Sequence, residues 1–258
     1  MSRYRNRSLP VFIAAAYMLF CGCRKKEQEP APSGPVNVTL HFRPVSGAQG
    51  LQAGVSYTNG HNETFTVRSF KFYVSALRFV SETGGRTYAV DPVPYFLVNA
   101  FDTAALNLKV YVPAGRYNKV QFTLGVDSLR NVSGTQTGAL DPANGMFWTW
   151  NTGYIMAKLE GYSPQSNQPN NLFEYHIGGF KSTENAVTAV TVSLPSGSVI
   201  NTQDSRAARV DLTADVARWF SGPNDLSITT TPVCMTPGPL SVKIAQNYSG
   251  MFAVEKVE

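Results

Sequence analysis

Apolar and polar residues alternate with a period of two along much of this chain, and this alternation restricts the possible folds more than any other feature. In the segment 36–43, the apolar residues Val36, Val38, Leu40 and Phe42 are separated by polar residues. Because successive side chains of a β-strand point to opposite faces, this pattern predicts a strand with one buried face. Similar patterns predict further strands at 65–67, 70–74, 106–112, 120–126, 154–160, 172–177, 187–194 and 209–212.

Glycine and proline separate these predicted strands. Turn sequences occur at Asn59-Gly60, at 83–85 and at 113–115, and the last is expected to join two strands as a hairpin. With 15% charged residues, 21 Gly and 16 Pro, the composition excludes a coiled coil and a disordered polyelectrolyte.

Only two segments have a helical pattern. One is 213–220, where Thr213 would be the N-cap, and the other is 241–248. We therefore predict an all-β protein, an antiparallel β-sandwich with one or two short helices.

The N-terminal segment has the features of a secretory signal peptide. Three arginines precede an apolar segment at 11–20, which is shorter than the ~20 residues of a membrane-spanning helix. The sequence Leu-Phe-Cys-Gly-Cys at 19–23 is similar to a bacterial lipobox, with Cys23 as the acylated residue. Ordinary cleavage and acylation of Cys21 are the alternatives.

Three regions follow from this interpretation. Residues 1–22 are the predicted lipoprotein signal peptide, residues 23–35 the lipidated Cys23 and a flexible, charged and proline-rich tether, and residues 36–258 a single β domain. The prediction is a lipoprotein of the outer membrane or cell surface, held by its lipid anchor and facing the periplasm or the exterior.

The charge of the mature chain gives no support for nucleic-acid binding. Removing residues 1–22 leaves 19 basic and 17 acidic residues, so the net charge falls from +5 to +2. Cys234 is the single cysteine after Cys23, so we expect no disulfide framework.

The segment 144–154, Asn-Gly-Met-Phe-Trp-Thr-Trp-Asn-Thr-Gly-Tyr, is the most unusual in the chain. Trp148 and Trp150 stand close to Met146, and soft, electron-rich groups of this kind suit copper(I). The alternative is that these residues belong to the sandwich core. The chain has no glycine-rich phosphate loop, nucleophile elbow or His-Glu-x-x-His motif, and we expect it not to be an enzyme.

This segment, followed by Lys158-Leu-Glu-Gly161, resembles the signature of the MbnP-like family of methanobactin-associated copper-binding proteins and related bacterial lipoproteins. Similar segments follow the family order over residues 36–258, at 65–75, 113–117, 122–127, 175–179 and 244–252. The resemblance implies an extracytoplasmic β protein that binds copper in some members. In those members, a partner di-haem enzyme oxidises a tryptophan to kynurenine.

Carried onto this sequence, the resemblance makes Trp148 or Trp150 the candidate kynurenine precursor. It makes His176 the best candidate copper ligand by position. A ligating imidazole usually has a partner that orients it, and Glu174 lies two residues away on the same strand face. A structural role for His176 is the alternative.

Other candidate ligands are weaker. His41 and Met146 complete the predicted copper set, although relatives commonly have a histidine two residues after the first-strand Phe, where this chain has Pro44. His41 could instead be an exposed strand residue. His61 has the sequence context of a turn, while Cys234 and its neighbour Met235 could replace a histidine ligand or pack as apolar residues.

Two functions follow from these observations. The first is a membrane-anchored extracytoplasmic protein that binds or handles copper, with an oxidatively modified tryptophan. The alternative is a non-catalytic structural or interaction module on the same scaffold, which binds a partner or glycan and has lost metal binding. The two differ in whether His176 and one of the tryptophans meet a second nitrogen or sulfur donor.

Replacing Cys23 tests the anchor. We expect Cys23→Ser to release the protein from membranes and abolish palmitate labelling, because the acylated sulfur is lost, whereas Cys21→Ser should change neither. Fractionation of labelled cells measures both properties, and unchanged labelling of Cys23→Ser would contradict the lipobox interpretation.

Overall fold

The computed structural model describes residues 34–148 and 153–258. The predicted signal peptide, Cys23, most of the tether and Trp150 lie outside the described residues. In the described ranges no helix is both long enough and apolar enough to span a membrane.

Sixteen strands and two short α-helices make up most of the regular structure in the described residues. The helices are α1 (Ser128–Val132) and α2 (Pro239–Tyr248). The strands are β1 (Val36–Ser46), β2 (Gln49–Gly50), β3 (Ser56–Thr58), β4 (Thr64–Ser81), β5 (Thr87–Ala89), β6 (Tyr95–Asn99), β7 (Asn107–Val112), β8 (Arg116–Leu124), β9 (Phe147–Trp148), β10 (Gly153–Tyr162), β11 (Leu172–Gly178), β12 (Thr188–Ser193), β13 (Ile200–Asn201), β14 (Ala208–Asp215), β15 (Val233–Cys234) and β16 (Phe252–Val257).

These strands form two sheets. In sheet A, β1 is central and pairs with β14 on one side and with β2 and β7 on the other, while β16 lies beyond β14. In sheet B, the main order is β12-β8-β4-β10-β11-β15, and the shorter strands pair with its members. Most pairs are antiparallel, but β1 runs parallel to β14 and β11 parallel to β15.

The two sheets bury their facing sides against each other. Phe42 of β1 meets Phe72 of β4 edge to face, with ring centroids 5.5 Å apart, and Phe122 of β8 at 6.2 Å. Complete burial of such a side chain contributes about 1.5–3 kcal/mol. The predicted all-β sandwich with short helices is confirmed, with the parallel β1–β14 and β11–β15 pairs as exceptions to its antiparallel order.

The predicted hairpin at 113–115 is wrong. β7 pairs with β1 in sheet A, whereas β8 belongs to sheet B, so the turn crosses from one sheet to the other. The turn is held by Tyr117, whose hydroxyl donates to Pro113 O at 2.6 Å, and by Thr202, whose hydroxyl accepts from Gly115 N at 3.0 Å.

The two helix predictions had different outcomes. α2 confirms the helix predicted at 241–248. The segment 213–220 instead continues β14 to Asp215 and then forms a 3-10 turn, Val216–Trp219. The cap is Asp215, whose carboxylate accepts from Ala217 N, because the strand alternation continues two residues past Thr213.

Glu63 is a buried carboxylate that joins two loops and is only 4% exposed. It accepts hydrogen bonds from Asn59 Nδ2 at 2.6 Å, Ile228 N at 2.7 Å, Thr229 N at 2.8 Å and Thr229 Oγ1 at 2.7 Å. Burial raises the pKa of Glu63, but these hydrogen bonds together outweigh it and hold the pKa below its usual value.

We expect Glu63→Gln to lower the free energy of unfolding by about 2 kcal/mol at pH 7. The folded pKa is lower than the unfolded one, so this contribution is complete above the unfolded pKa of about 4.3. It is lost as the pH falls through the folded pKa, and the difference from wild type should shrink between pH 7 and pH 3. Urea unfolding measures the free energy of unfolding at each pH, and Glu82→Gln, which breaks the exposed ion pair with Arg116, is the control. A difference independent of pH would contradict the assignment.

Candidate functional site on the outer face of sheet B

The candidate site lies on the side of sheet B that faces away from sheet A, here called the outer face. On β10, Ala157 and Leu159 belong to the sandwich core, so Lys158 and Glu160 point outward. On β11, alternation places Glu174 and His176 on this face. The register pairs Lys158 with His176 and Glu160 with Glu174, so four functional side chains meet across two strands.

His176 is bonded to Glu160. Its Nε2 lies 2.6 Å from Glu160 Oε1, and the two side chains are 10% and 13% exposed. Arg68 Nε lies 3.3 Å from Glu160 Oε2, and Lys158 Nζ lies 3.7 Å from Oε1. Burial raises the pKa of Glu160, but the His176 hydrogen bond and the positive charges of Lys158 and Arg68 bring it below its usual value.

Glu174 lies on the expected face but does not orient His176. Its Oε1 accepts from Arg68 Nη2 at 2.8 Å. Glu160 lies diagonally opposite His176 on the neighbouring strand, and its side chain reaches the imidazole, whereas the carboxylate of Glu174 is paired with Arg68.

Two lysines fasten a loop over this face. Lys158 Nζ donates to Gly145 O at 2.7 Å and Lys71 Nζ to Asn144 O at 3.2 Å. Burial lowers the pKa of Lys158, and the negative charge of Glu160, which raises this pKa, offsets only part of the effect. The bound segment, residues 138–148, contains Met146 and Trp148.

Two tyrosines from sheet B also hold this loop. Tyr73 and Tyr154 donate their hydroxyls to Ala139 O at 3.1 Å and Leu140 O at 2.7 Å, respectively. The loop thereby closes an apolar cluster separate from the sandwich core.

Trp148 and Met146 are buried in this second cluster, at 5% and 0% exposure. The indole lies directly against Gly178, because a Cβ at that position would be 2.3 Å from Trp148 Cζ3. Gly178 is two residues from His176 on β11, so the fold packs the Trp148 indole against the strand that carries His176.

Of the remaining candidate ligands, the two other histidines lie elsewhere, whereas Cys234 lies in β15, which pairs with β11. His41, in sheet A, has Nδ1 2.9 Å from Asn107 Oδ1, and His61, in its predicted turn, has Nε2 2.8 Å from Asp225 Oδ1. Cys234 is buried, which raises the pKa of its thiol to about 11, and Met235 is partly exposed.

The described residues do not complete a three-donor group of His, Cys, Asp or Glu at His176. Within the ranges 34–148 and 153–258, no three His, Cys, Asp or Glu side chains are grouped to hold a metal ion. His41 and His176 lie in different sheets, and the carboxylate nearest to His176 is already paired with two cationic groups. Glu160, Arg68 and the two lysines were not among the predicted site residues, although Lys158-Leu-Glu160 has the alternation that places both charges on one face.

A cavity of about 620 Å³ opens beside Trp148. Its aromatic lining in the described part of the chain comes from Phe147, Trp148, Tyr154 and Phe180. Asn131 supports this wall, since its Nδ2 donates to Val126 O at 2.7 Å and its Oδ1 accepts from Tyr154 N at 2.8 Å. Aromatic side chains beside a few polar ones are typical of small-molecule sites.

Contact between Trp148 and Gly178 can be tested by adding one methyl group. We expect Gly178→Ala to lower the free energy of unfolding by about 1–3 kcal/mol, because the new carbon would overlap the indole. Gly50→Ala is the control, as a Cβ there meets nothing within 4 Å. Equal thermal stability of the two variants would contradict the packing of Trp148 on β11.

Comparison with known proteins agrees with this architecture. A sequence model of the MbnP family matches residues 35–236. The fold is similar to that of MbnP from Methylosinus trichosporium, with a TM-score of 0.51 and 15% identity over 87% of this chain and 99% of that chain. A search of curated proteins found no significant match. The family match spans most of the chain, and this protein belongs to the MbnP family.

Proposed function

We propose that this chain is a non-catalytic binding module of the MbnP family, held at the outer membrane or cell surface by a lipid on Cys23. In this proposal His176 stabilises the outer face of sheet B and does not bind copper. The module takes its ligand in the aromatic cavity beside Trp148.

The proposal rests on the hydrogen bond between His176 and Glu160. Its Nε2 is 2.6 Å from a carboxylate that also meets Arg68 and Lys158. A copper ion at Nε2 would have to displace Glu160, so a metal could use only Nδ1, and in the ranges 34–148 and 153–258 no three His, Cys, Asp or Glu side chains are grouped to complete such a site. The positive charges of Arg68 and Lys158 would also oppose a cation.

The same geometry supports a non-catalytic role. A histidine that activates a nucleophile must lie within hydrogen-bonding distance of a hydroxyl or thiol. In the part of the chain that the structure describes, the hydrogen-bond partner of the His176 imidazole is Glu160. Oxidation of Trp148 or Trp150 by a di-haem enzyme stays a prediction from the family resemblance.

Copper(I) titration of the full chain in detergent, against a competing chelator, tests the proposal. We expect wild type, His176→Ala and the control His61→Ala to give the same curve, because no copper is held at His176. Intact mass should be recorded so that protein with and without oxidised tryptophan is titrated. One tightly bound copper that His176→Ala loses and His61→Ala keeps would contradict the proposal.

The cavity is tested on the same preparations with 1-anilinonaphthalene-8-sulfonate, an aromatic probe, after subtracting its fluorescence in the same detergent without protein. We expect saturable fluorescence enhancement that Phe180→Ala weakens at least threefold, because one aromatic wall is lost. Phe101→Ala removes a partly exposed phenylalanine outside the cavity lining and should leave the titration unchanged. Equal titrations for both variants would remove the cavity from the proposal.

A further inference from the structure

A second surface lies at the opposite end of β10 from Gly153. It is a shallow cavity of about 250 Å³ between the end of β10, the β3–β4 hairpin and the loop after β10. The residues that determine its chemistry are Ser56, Thr64, Thr66, Tyr162, Asn170 and Asn171.

Strand register aligns part of this surface. Tyr162 of β10 pairs with Thr66 of β4, and Thr66 pairs with Ser56 of β3. The neighbouring residues Phe65 and Tyr57 point into the core, so the three aligned side chains share the outer face.

The loop after β10 completes the cavity with two asparagines. Asn170 and Asn171 both have left-handed backbone conformations, with φ of 57° and 56°. Asparagine adopts this conformation more readily than most residues, and such conformations cluster at ligand sites. The loop is closed onto β10, since Ser163 N donates to Asn171 O at 2.8 Å.

The polar groups of this surface remain available. The hydroxyls of Ser56, Thr64 and Thr66 and the carboxamides of Asn170 and Asn171 make no hydrogen bond to another described residue. Tyr162 is 44% exposed, and its ring contacts the Arg68 guanidinium at 5.9 Å from the centroid.

The cavity lining is also uncharged. Its residues in the described ranges include no Asp, Glu, Lys or Arg, and nearby Arg68 is already paired with Glu160 and Glu174. An ionic ligand would therefore lose water without gaining a counter-charge, which is unfavourable. A neutral ligand with many hydroxyls would find several donors and acceptors around one aromatic ring.

We propose that this surface binds a neutral oligosaccharide, with one pyranose ring packed against Tyr162. The apolar C–H face of the sugar would lie on the tyrosine ring, while its hydroxyls would bond to the serine, threonine and asparagine side chains. The cavity holds about one ring, and the rest of the chain would extend into solvent. The site shares no described residue with the cavity beside Trp148, so it goes beyond the proposed function and either proposal can fail alone.

Saturation-transfer difference NMR on the full chain tests this site, because the method detects weak ligands through their own protons. The detergent should be lauryldimethylamine oxide, which carries no sugar headgroup. The probes are maltotriose, cellotriose, xylotriose and triacetylchitotriose, with trigalacturonate as the charged comparison. We expect a signal from at least one neutral trisaccharide, strongest at the ring C–H protons, and at least fivefold less from trigalacturonate.

Three variants assign the signal to the site. Tyr162→Ala should reduce it at least fivefold, while Tyr162→Phe, which keeps the ring, should retain at least half of it. Tyr111→Ala removes an exposed tyrosine from the other sheet, sheet A, and should leave the signal unchanged. Circular dichroism verifies that each variant is folded. The proposal is overturned if no neutral trisaccharide gives a signal, if trigalacturonate gives an equal one, or if folded Tyr162→Ala binds as wild type does.

Discussion

The hydrogen bond between Glu160 and His176 organises the outer face of sheet B. A largely buried carboxylate destabilises a fold unless partners replace its lost water, and here an imidazole and two cationic side chains do so. Glu160 also holds Lys158 near the sheet, where that lysine reaches Gly145 O. The position of the loop over the face therefore depends on the same charge network.

The position of this loop also explains how the aromatic segment of the family signature packs in the structure. The loop carries Trp148 onto Gly178, where any larger residue would collide with the indole. The aromatic signature and the Tyr-His-Ile-Gly-Gly segment are consequently two halves of one packed unit. In this chain Nε2 of the histidine is bonded to Glu160, and no three-donor group surrounds it in the described residues, which is the physical basis for proposing a binding module without copper at His176.

The sequence allowed the fold class to be predicted more fully than the site. Alternation indicated which residues face the core, but both β7 and β8 face the same core from opposite sheets, so it could not separate a hairpin from a crossing turn. The partner of His176 depended on strand register, which places Glu160 diagonally opposite and leaves Glu174 with Arg68. Register results from packing across the whole sheet, and no local pattern specifies it.

A double-mutant cycle between Glu160 and His176 measures how strongly the two side chains stabilise each other. The free energy of unfolding would be measured in urea for wild type, Glu160→Gln, His176→Gln and the double variant. A direct charge-assisted bond predicts a coupling free energy of about 1.5–3 kcal/mol. Additive effects, within about 0.5 kcal/mol, would mean that the two side chains do not depend on each other and would contradict this account of the site.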